Sequence, residues 1–242
     1  MDNANQWNEL TDIFGCTWNE ETIPETAADN ICIAWPSIIN GIEQSLSNKE
    51  DIVALDYGCG GGLFCRQLHS MGFQVTGYDQ SEALIKSAQF NVPAGVTITN
   101  DTNVIESGQK YDLVTAIMVL QFIDNIEEVI ATIAKTLNKD GLIIYAVFNP
   151  AFVHDNMGDN QLFIPSSRHD IAYMELKPGI QIPFYIRSDM EYRRLFNQLG
   201  MEEIYRDLPP FTADFIEQYG VPFSTLHSEF LIQAFRKSPL TG

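Results

Sequence analysis

The sequence predicts an α/β fold built as a doubly wound, mostly parallel sheet, and two observations carry that prediction. Between residues 52 and 148, short apolar runs of strand length alternate with stretches whose apolar residues recur at helical spacing. The first of these runs passes directly into Gly58-Cys59-Gly60-Gly61-Gly62, a glycine-rich turn between a strand and a helix. A chain of 242 residues suffices for one substantial α/β domain with material left for caps, whereas two complete domains would be crowded.

The elements follow in chain order. Trp7, Leu10 and Phe14 share a helical face that Gly15 would end, and Ile38, Ile39, Ile42 and Leu46 repeat the pattern after Trp35-Pro36. Residues 1–50 are therefore expected to form an N-terminal helical cap. Ile52-Val53-Ala54-Leu55 reads as a buried strand, and Phe64, Leu68 and Met71 mark the helix after the glycine turn. Phe73 to Tyr78 is a second strand ending at Asp79, with Ser81 as N-cap of the next helix. Val96-Thr97-Ile98 is a short third strand, ending near Asp101, and Asp112 to Ile117 a fourth. Asp124-Asn125-Ile126-Glu127 has the pattern of a capping box ahead of the stripe Ile126, Val129, Ile130, Ile133, Leu137. Asn138-Lys139-Asp140-Gly141 is then a turn into the strand Leu142 to Val147.

From residue 149 to 186 the periodicity gives way to Pro, Gly, Ser and aromatic residues, which suggests an inserted lid rather than a linker. Regular structure resumes with a second capping box, Ser188-Asp189-Met190-Glu191, and a helical face of Leu195, Phe196 and Leu199 before Gly200. Glu203-Ile204-Tyr205 and Phe230 to Phe235 read as closing strands.

Composition narrows the function classes. A net charge of -18 would repel a polyanion, which makes nucleic acids and anionic membranes poor partners. Such a charge weakly favours a cationic substrate, although most of the carboxylates are expected simply to be solvated. Cys16, Cys32, Cys59 and Cys65 form no CxxC pair and have no histidine grouping nearby, so neither a metal site nor a disulfide framework is indicated. Reduced thiols suit a cytoplasmic protein. The polar start, Met1-Asp2-Asn3-Ala4-Asn5, lacks the form of a signal peptide, and the longest apolar run, Leu142 to Phe148, is of strand length.

A glycine turn at a helix N-terminus lets a ligand approach backbone amides closely, and an acid ending the next strand can accept hydrogen bonds from ribose hydroxyls. Asp79 stands at that place. The dinucleotide pattern GxGxxG fails, because its third glycine would fall on Leu63 or Cys65, and no Gly-Lys-Ser or Gly-Lys-Thr of a Walker loop follows. The spacing is GxGxG.

In these residues the chain resembles the class I S-adenosylmethionine-dependent methyltransferases, particularly their small-molecule branch, from about Ile52 to Phe148 and again near the C-terminus. Leu55 to Gly62 resembles that family's first motif and Gly77-Tyr78-Asp79-Gln80-Ser81 its second. Asp101-Thr102, Tyr111 to Val114 and Leu137 to Leu142 resemble later ones. The resemblance implies a Rossmann-like sheet of seven strands, one of them antiparallel, and S-adenosylmethionine as cofactor. It implies a cofactor site of Asp56, Gly58, Cys59, Gly60, Asp79, Gln80, Asp101, Thr102 and Ile117. Within it, Gly58 to Gly60 would surround the methionine moiety, Asp79 the ribose and Asp101 with Thr102 the adenine. Gln80 departs from the family, which often has an apolar residue there.

On the acceptor side a small-molecule substrate is expected. If its acceptor is a hydroxyl, a base is needed, for which His154 or His169 in the lid would serve near neutral pH. Phe152, Phe163, Tyr173, Phe184 and Tyr185 would either line an apolar pocket or pack the lid onto the sheet. Asn149-Pro150-Ala151-Phe152 has the look of an amino-methylating motif but follows the fifth strand rather than the fourth, so a strand-ending turn is the expected reading. Two other functions remain open: a nicotinamide-dependent oxidoreductase, disfavoured by the glycine spacing, and a non-catalytic protein that keeps the fold as a binding module.

Overall fold

A parallel sheet is buried on both faces, so its strands must be apolar on both sides, and the fifth strand shows how this chain meets that demand. Along β5 (Leu137–Phe148) the side chains Leu142, Ile144 and Ala146 enter the core on one face, while Ile143, Tyr145 and Val147 enter the other. The computed structural model describes residues 4–15, 23–46, 50–158, 162–221 and 223–237.

The described part of the expected N-terminal cap comprises α1 (Ala4–Asn8), α2 (Thr11–Phe14), a π-helical turn at Asn30–Ala34 and α3 (Trp35–Ser45). Residues 16–22, including Cys16, and 47–49 lie outside the described residues. The alternating core is β1 (Val53–Tyr57), α4 (Leu63–Ser70), β2 (Gln74–Tyr78), α5 (Glu82–Asn91), β3 (Thr97–Thr99), α6 (Asn103–Glu106), β4 (Tyr111–Ile117), α7 (Ile126–Thr136) and β5. After it come α8 (Pro150–Asp155), β6 (Ile164–Pro165), β7 (Ile171–Lys177), β8 (Ile180–Tyr185), α9 (Asp189–Gln198), β9 (Met201–Asp207), α10 (Ala213–Tyr219) and β10 (Phe230–Lys237).

Seven strands form the main sheet in the order β3-β2-β1-β4-β5-β10-β9. β10 alone runs antiparallel to its neighbours, pairing Phe230 with Phe148 on one side and Ile232 with Asp207 on the other. The expected sheet is thus present, with its antiparallel strand. Helices cover both faces: Ile38 and Ile42 of α3 and Phe64 and Leu68 of α4 pack on one, Ile130 and Ile133 of α7 and Leu195 and Phe196 of α9 on the other.

Several local expectations are corrected. Asn125 caps α7 without a side-chain hydrogen bond to the helix amides, and its amide group instead contacts Glu128, so no capping box forms there. The box at Ser188 and Glu191 does form, and Ser81 accepts from the Leu84 amide at 3.2 Å. Leu137 belongs to β5 rather than to α7. Asn138 to Gly141 does not separate helix from strand but lies within β5, where Asp140 takes a left-handed φ of 62° and the pairing to β4 jumps from Tyr111↔Leu137 to Leu113↔Leu142.

The segment expected as an aperiodic lid has regular structure. α8 leads into a three-stranded antiparallel sheet, β6-β7-β8, packed beneath on Phe148, Phe152, Phe163, Ala172 and Phe184. Its apolar residues are buried irregularly along β7, where only Ala172 is fully enclosed, so no alternation shows in the sequence. Asn149-Pro150 is a helix start: the Asn149 side chain accepts from the Ala151 amide at 3.2 Å and donates to the Ser228 carbonyl at 2.9 Å.

Candidate functional site

Parallel pairing places the glycine turn and Asp79 together. β1 and β2 run in register from Val53↔Gln74 to Tyr57↔Tyr78, so the residues just beyond, Gly58 and Asp79, emerge at the same level on the carboxyl edge of the sheet. The Tyr78 carbonyl accepts the amides of Gly58 and Cys59 at 2.8 and 3.0 Å. Gly58 and Gly60 hold left-handed φ angles of 75° and 51°. A Cβ on Gly58 would sit 2.6 Å from Val119 Cγ2, whereas one on Gly60 would meet nothing nearer than the Phe14 carbonyl at 3.8 Å. The turn therefore demands glycine for shape at the first position and keeps a bare backbone facing open space at the second.

Asp79 closes this turn. Its Oδ2 accepts the Gly60 amide at 2.9 Å and its Oδ1 the Ser81 amide at 2.9 Å. Burial raises its pKa, against the pull of those two amides. Asp56, one residue before the end of β1, is 2 % exposed and accepts from Thr115 Oγ1 at 2.7 Å and Cys65 Sγ at 3.3 Å. Burial pushes its pKa up to about 6, opposed by those donors and assisted by the Asp79 charge.

Both acids open onto a cavity of about 790 Å³ at the carboxyl ends of the strands. The glycine turn, Tyr57, Tyr78 and Asp79 form one end, and the Tyr57 and Tyr78 rings stack there at 5.5 Å. Phe148, Leu162, Met174, Leu176 and Phe223 form an apolar wall at the other. Trp7 and Phe14 reach over the cavity from the N-terminal helices, and Trp7 packs edge-on against Phe122 at 5.0 Å. These helices are tied on two sides. Asn8 Oδ1 accepts from Ser81 Oγ at 2.7 Å, and Lys177 of the small sheet donates to the Glu9 carbonyl at 2.6 Å and pairs with Asp12.

Of the residues named from the sequence, Asp56, Gly58, Cys59, Gly60, Asp79, Gln80 and Ile117 all line this cavity. Asp101 and Thr102 do not. They are exposed: Asp101 accepts from the Asn103 amide at 3.0 Å, which lowers its pKa, and Thr102 donates to Glu106 at 3.1 Å, so both start α6. His154 on α8 and His169 before β7 are exposed and do not line the cavity: α8 buries Phe152 and Val153 and turns His154 outward, while His169 lies in an exposed turn between Arg168 and Asp170, which pair with each other. Phe152, Phe163 and Phe184 are packing residues, at most 1 % exposed.

Some lining residues had no signal in the sequence. Met118, just beyond β4, holds φ at 54° while its amide bonds the Ala146 carbonyl at 2.8 Å, a strained conformation fixed by the neighbouring strand. Asp29, Asn30 and Glu229 also line the cavity, brought together from opposite ends of the chain.

The cavity suits S-adenosylmethionine. The bare backbone at Gly60 leaves room that a side chain would fill, and each Asp79 oxygen has engaged one amide and retains a lone pair for a ribose hydroxyl. Its volume lies in the range of pockets that hold a nucleoside-sized ligand beside a small acceptor.

Comparison with known proteins agrees with this fold. Residues 37–219 match the methyltransferase domain family. A ubiquinone biosynthesis O-methyltransferase of Rickettsia bellii is 26% identical over 158 residues, which are 59% of this chain and 62% of the relative; the chain thus spans less than two thirds of that relative's length. Among solved structures, an S-adenosylmethionine-dependent methyltransferase from Mesorhizobium loti superimposes with a TM-score of 0.65 at 18% identity, covering 84% of this chain and 96% of that one. Magnesium protoporphyrin IX methyltransferase from Synechocystis with bound cofactor gives 0.62 at 15% identity, covering 98% of each chain.

Proposed function

The chain belongs to the S-adenosylmethionine-dependent methyltransferases, and on that premise we propose that it transfers a methyl group to oxygen or nitrogen of a small, partly apolar metabolite. When bound, the cofactor supplies an electrophilic methyl on a sulfonium. The observation that carries the reading is Asp79, which fastens the Gly60 amide at the end of a cavity large enough for two ligands.

Asp79 holds the ribose, the bare backbone of the glycine turn lies close against the methionine portion, and Ile117 and Met118 line the cavity with them. The apolar wall of Phe148, Leu162, Met174 and Leu176 orients the acceptor, and Trp7 with Phe14 excludes water from above. These side chains supply positioning more than proton transfer, because an in-line displacement gains chiefly from alignment. The Rickettsia relative's name, an O-methyltransferase, supports an oxygen acceptor. Residues 149–186 act as the lid over that acceptor.

Calorimetric titration with S-adenosylhomocysteine and with NADH tests the reading. Binding of the first alone is expected, and binding of NADH alone would overturn it in favour of an oxidoreductase. Cofactor binding without methyl transfer to any of a broad acceptor panel would instead mark a non-catalytic module.

A further inference from the structure

The far end of the cavity contains acids that cofactor binding does not use. Glu229 precedes β10, the antiparallel strand, which therefore brings its first residues to the same sheet edge as the carboxyl ends of the others; the Glu229 carbonyl accepts the Asn149 amide at 2.8 Å. In the strand order, β10 lies three places from β1, roughly 14 Å from the glycine turn at ordinary strand spacing. Glu229 is thus on the acceptor side.

Its side chain is 4 % exposed and its Oε2 is buried with no hydrogen-bond donor from the protein. Its carboxyl meets that of Asp29, which enters from the turn before α3 and accepts the Asn30 amide at 2.7 Å. Asn30 begins the π-helical turn, a local widening often found at functional sites. The Asn30 Oδ1 is also buried without a partner. Three acceptor groups thus line one cavity, and no Lys, Arg or His is among its described lining residues.

Two touching carboxyls cannot both ionise in such a place, so they share one proton and keep one negative charge. Burial raises both pKa values, and the neighbouring Asp29 raises that of Glu229 further, which puts the shared proton on Glu229. A buried acid pair with unpaired oxygens is costly to the fold unless a ligand supplies donors and positive charge. Acceptors that carry a carboxylate or phosphate at this end would meet repulsion with no cation to relieve it.

We propose that Asp29, Asn30 and Glu229 form a recognition subsite for a protonated amine on the acceptor molecule, distinct from the atom that receives the methyl group. The apolar wall of Phe148, Met174 and Phe223 adjoining it fits the hydrocarbon or ring portion between the two. The proposal rests on the methyltransferase reading for its choice of acceptor, but the subsite can be tested without any methyl transfer.

Three probes of one shape serve: phenethylamine, 2-phenylethanol and 3-phenylpropionate, titrated by calorimetry into the protein at neutral pH with and without saturating S-adenosylhomocysteine. Phenethylamine should bind at least about tenfold more tightly than the alcohol, the equivalent of one charge-assisted hydrogen bond, and the carboxylate most weakly. Asp29→Asn should erase the amine preference, whereas Glu229→Gln, a neutral replacement for the protonated carboxyl that leaves the charge on Asp29, should keep it at reduced strength, and both should leave affinity for the alcohol and for S-adenosylhomocysteine unchanged. Equal binding of amine and alcohol, tighter binding of the carboxylate, no detectable amine binding, or a preference that survives Asp29→Asn would overturn the subsite. Should either variant fail to fold, the ranking of the three probes on the wild-type protein decides. Failure of S-adenosylhomocysteine to bind would count against the methyltransferase reading, while the amine ranking would still be measurable without it.

Discussion

The Asp79 carboxylate accepts the Gly60 amide at 2.9 Å, so one side chain at the end of β2 fixes the shape of the turn at the end of β1. Binding and loop geometry are joined in that contact. Asp79→Ala should weaken S-adenosylhomocysteine binding by about 1–3 kcal/mol, the usual loss for a charge-assisted hydrogen bond. Calorimetry measures it, and unchanged affinity would reject the ribose role.

Gly58 and Gly60 share a left-handed backbone but differ in surroundings, and their alanine variants should separate stability from binding. Gly58→Ala drives a methyl to 2.6 Å from Val119 and should lower unfolding free energy by about 2 kcal/mol or more. Gly60→Ala adds only the backbone strain, about 1 kcal/mol, but should reduce cofactor affinity by a larger factor than its sister. Urea unfolding and calorimetry on both variants make the comparison.

Asp56 should make the fold less stable as pH rises. Its pKa in the folded chain is about 6, above the unfolded value of 3.8, so the native state holds the proton more tightly. Its contribution is fully present below about pH 4 and is lost as pH rises through 6, a swing of at most about 3 kcal/mol. The gap in unfolding free energy between Asp56→Asn and wild type, measured in urea across pH 4 to 7.5, should move in the variant's favour as pH rises. A flat difference would mean that Thr115 and Cys65 compensate the buried charge fully.

His154→Ala and His169→Ala should each leave transfer from tritiated S-adenosylmethionine within about twofold, since both imidazoles lie outside the cavity. A general base contributes roughly 10²–10⁴-fold, so a loss of that size in either variant would place its imidazole at the reacting atoms.

Hydrogen exchange should report the closure over the acceptor. With S-adenosylhomocysteine bound, amides of 4–15 and 164–185 should gain protection together, because Lys177 ties the small sheet to Glu9 and Asp12. Protection in one segment alone would separate the two halves of the cover.

The cofactor half of the site was legible in the sequence because its parts are local: a glycine turn follows its own strand, and Asp79 follows the next one in matching register. Asp101 and Thr102 were placed by family resemblance, yet they face outward and start α6, an orientation that one residue's rotation in a turn decides and that no spacing encodes. The imidazoles were singled out for their chemistry, not for a pattern that would bury them. The small sheet is hidden because β7 is covered unevenly and only the short β8 buries alternate residues, Ile182 and Phe184, and Met118 is hidden because backbone strain comes from the neighbouring strand rather than from the residue itself. Asp29 and Glu229 carry no shared motif, since only the completed sheet makes them neighbours.

The antiparallel strand β10 also sets an order of assembly. The turn that holds the cofactor needs only β1 and β2 to pair, a contact closed within some thirty residues. The acid pair needs the strand that comes last in the sheet's sequence to return across it, with nearly the whole chain as the loop between Asp29 and Glu229. Closing that loop costs more entropy before any contact rewards it. Loosening the β5–β10 seam should therefore blunt the choice of acceptor before it releases the cofactor, and selectivity would be the first property lost in a chain that is only partly destabilised.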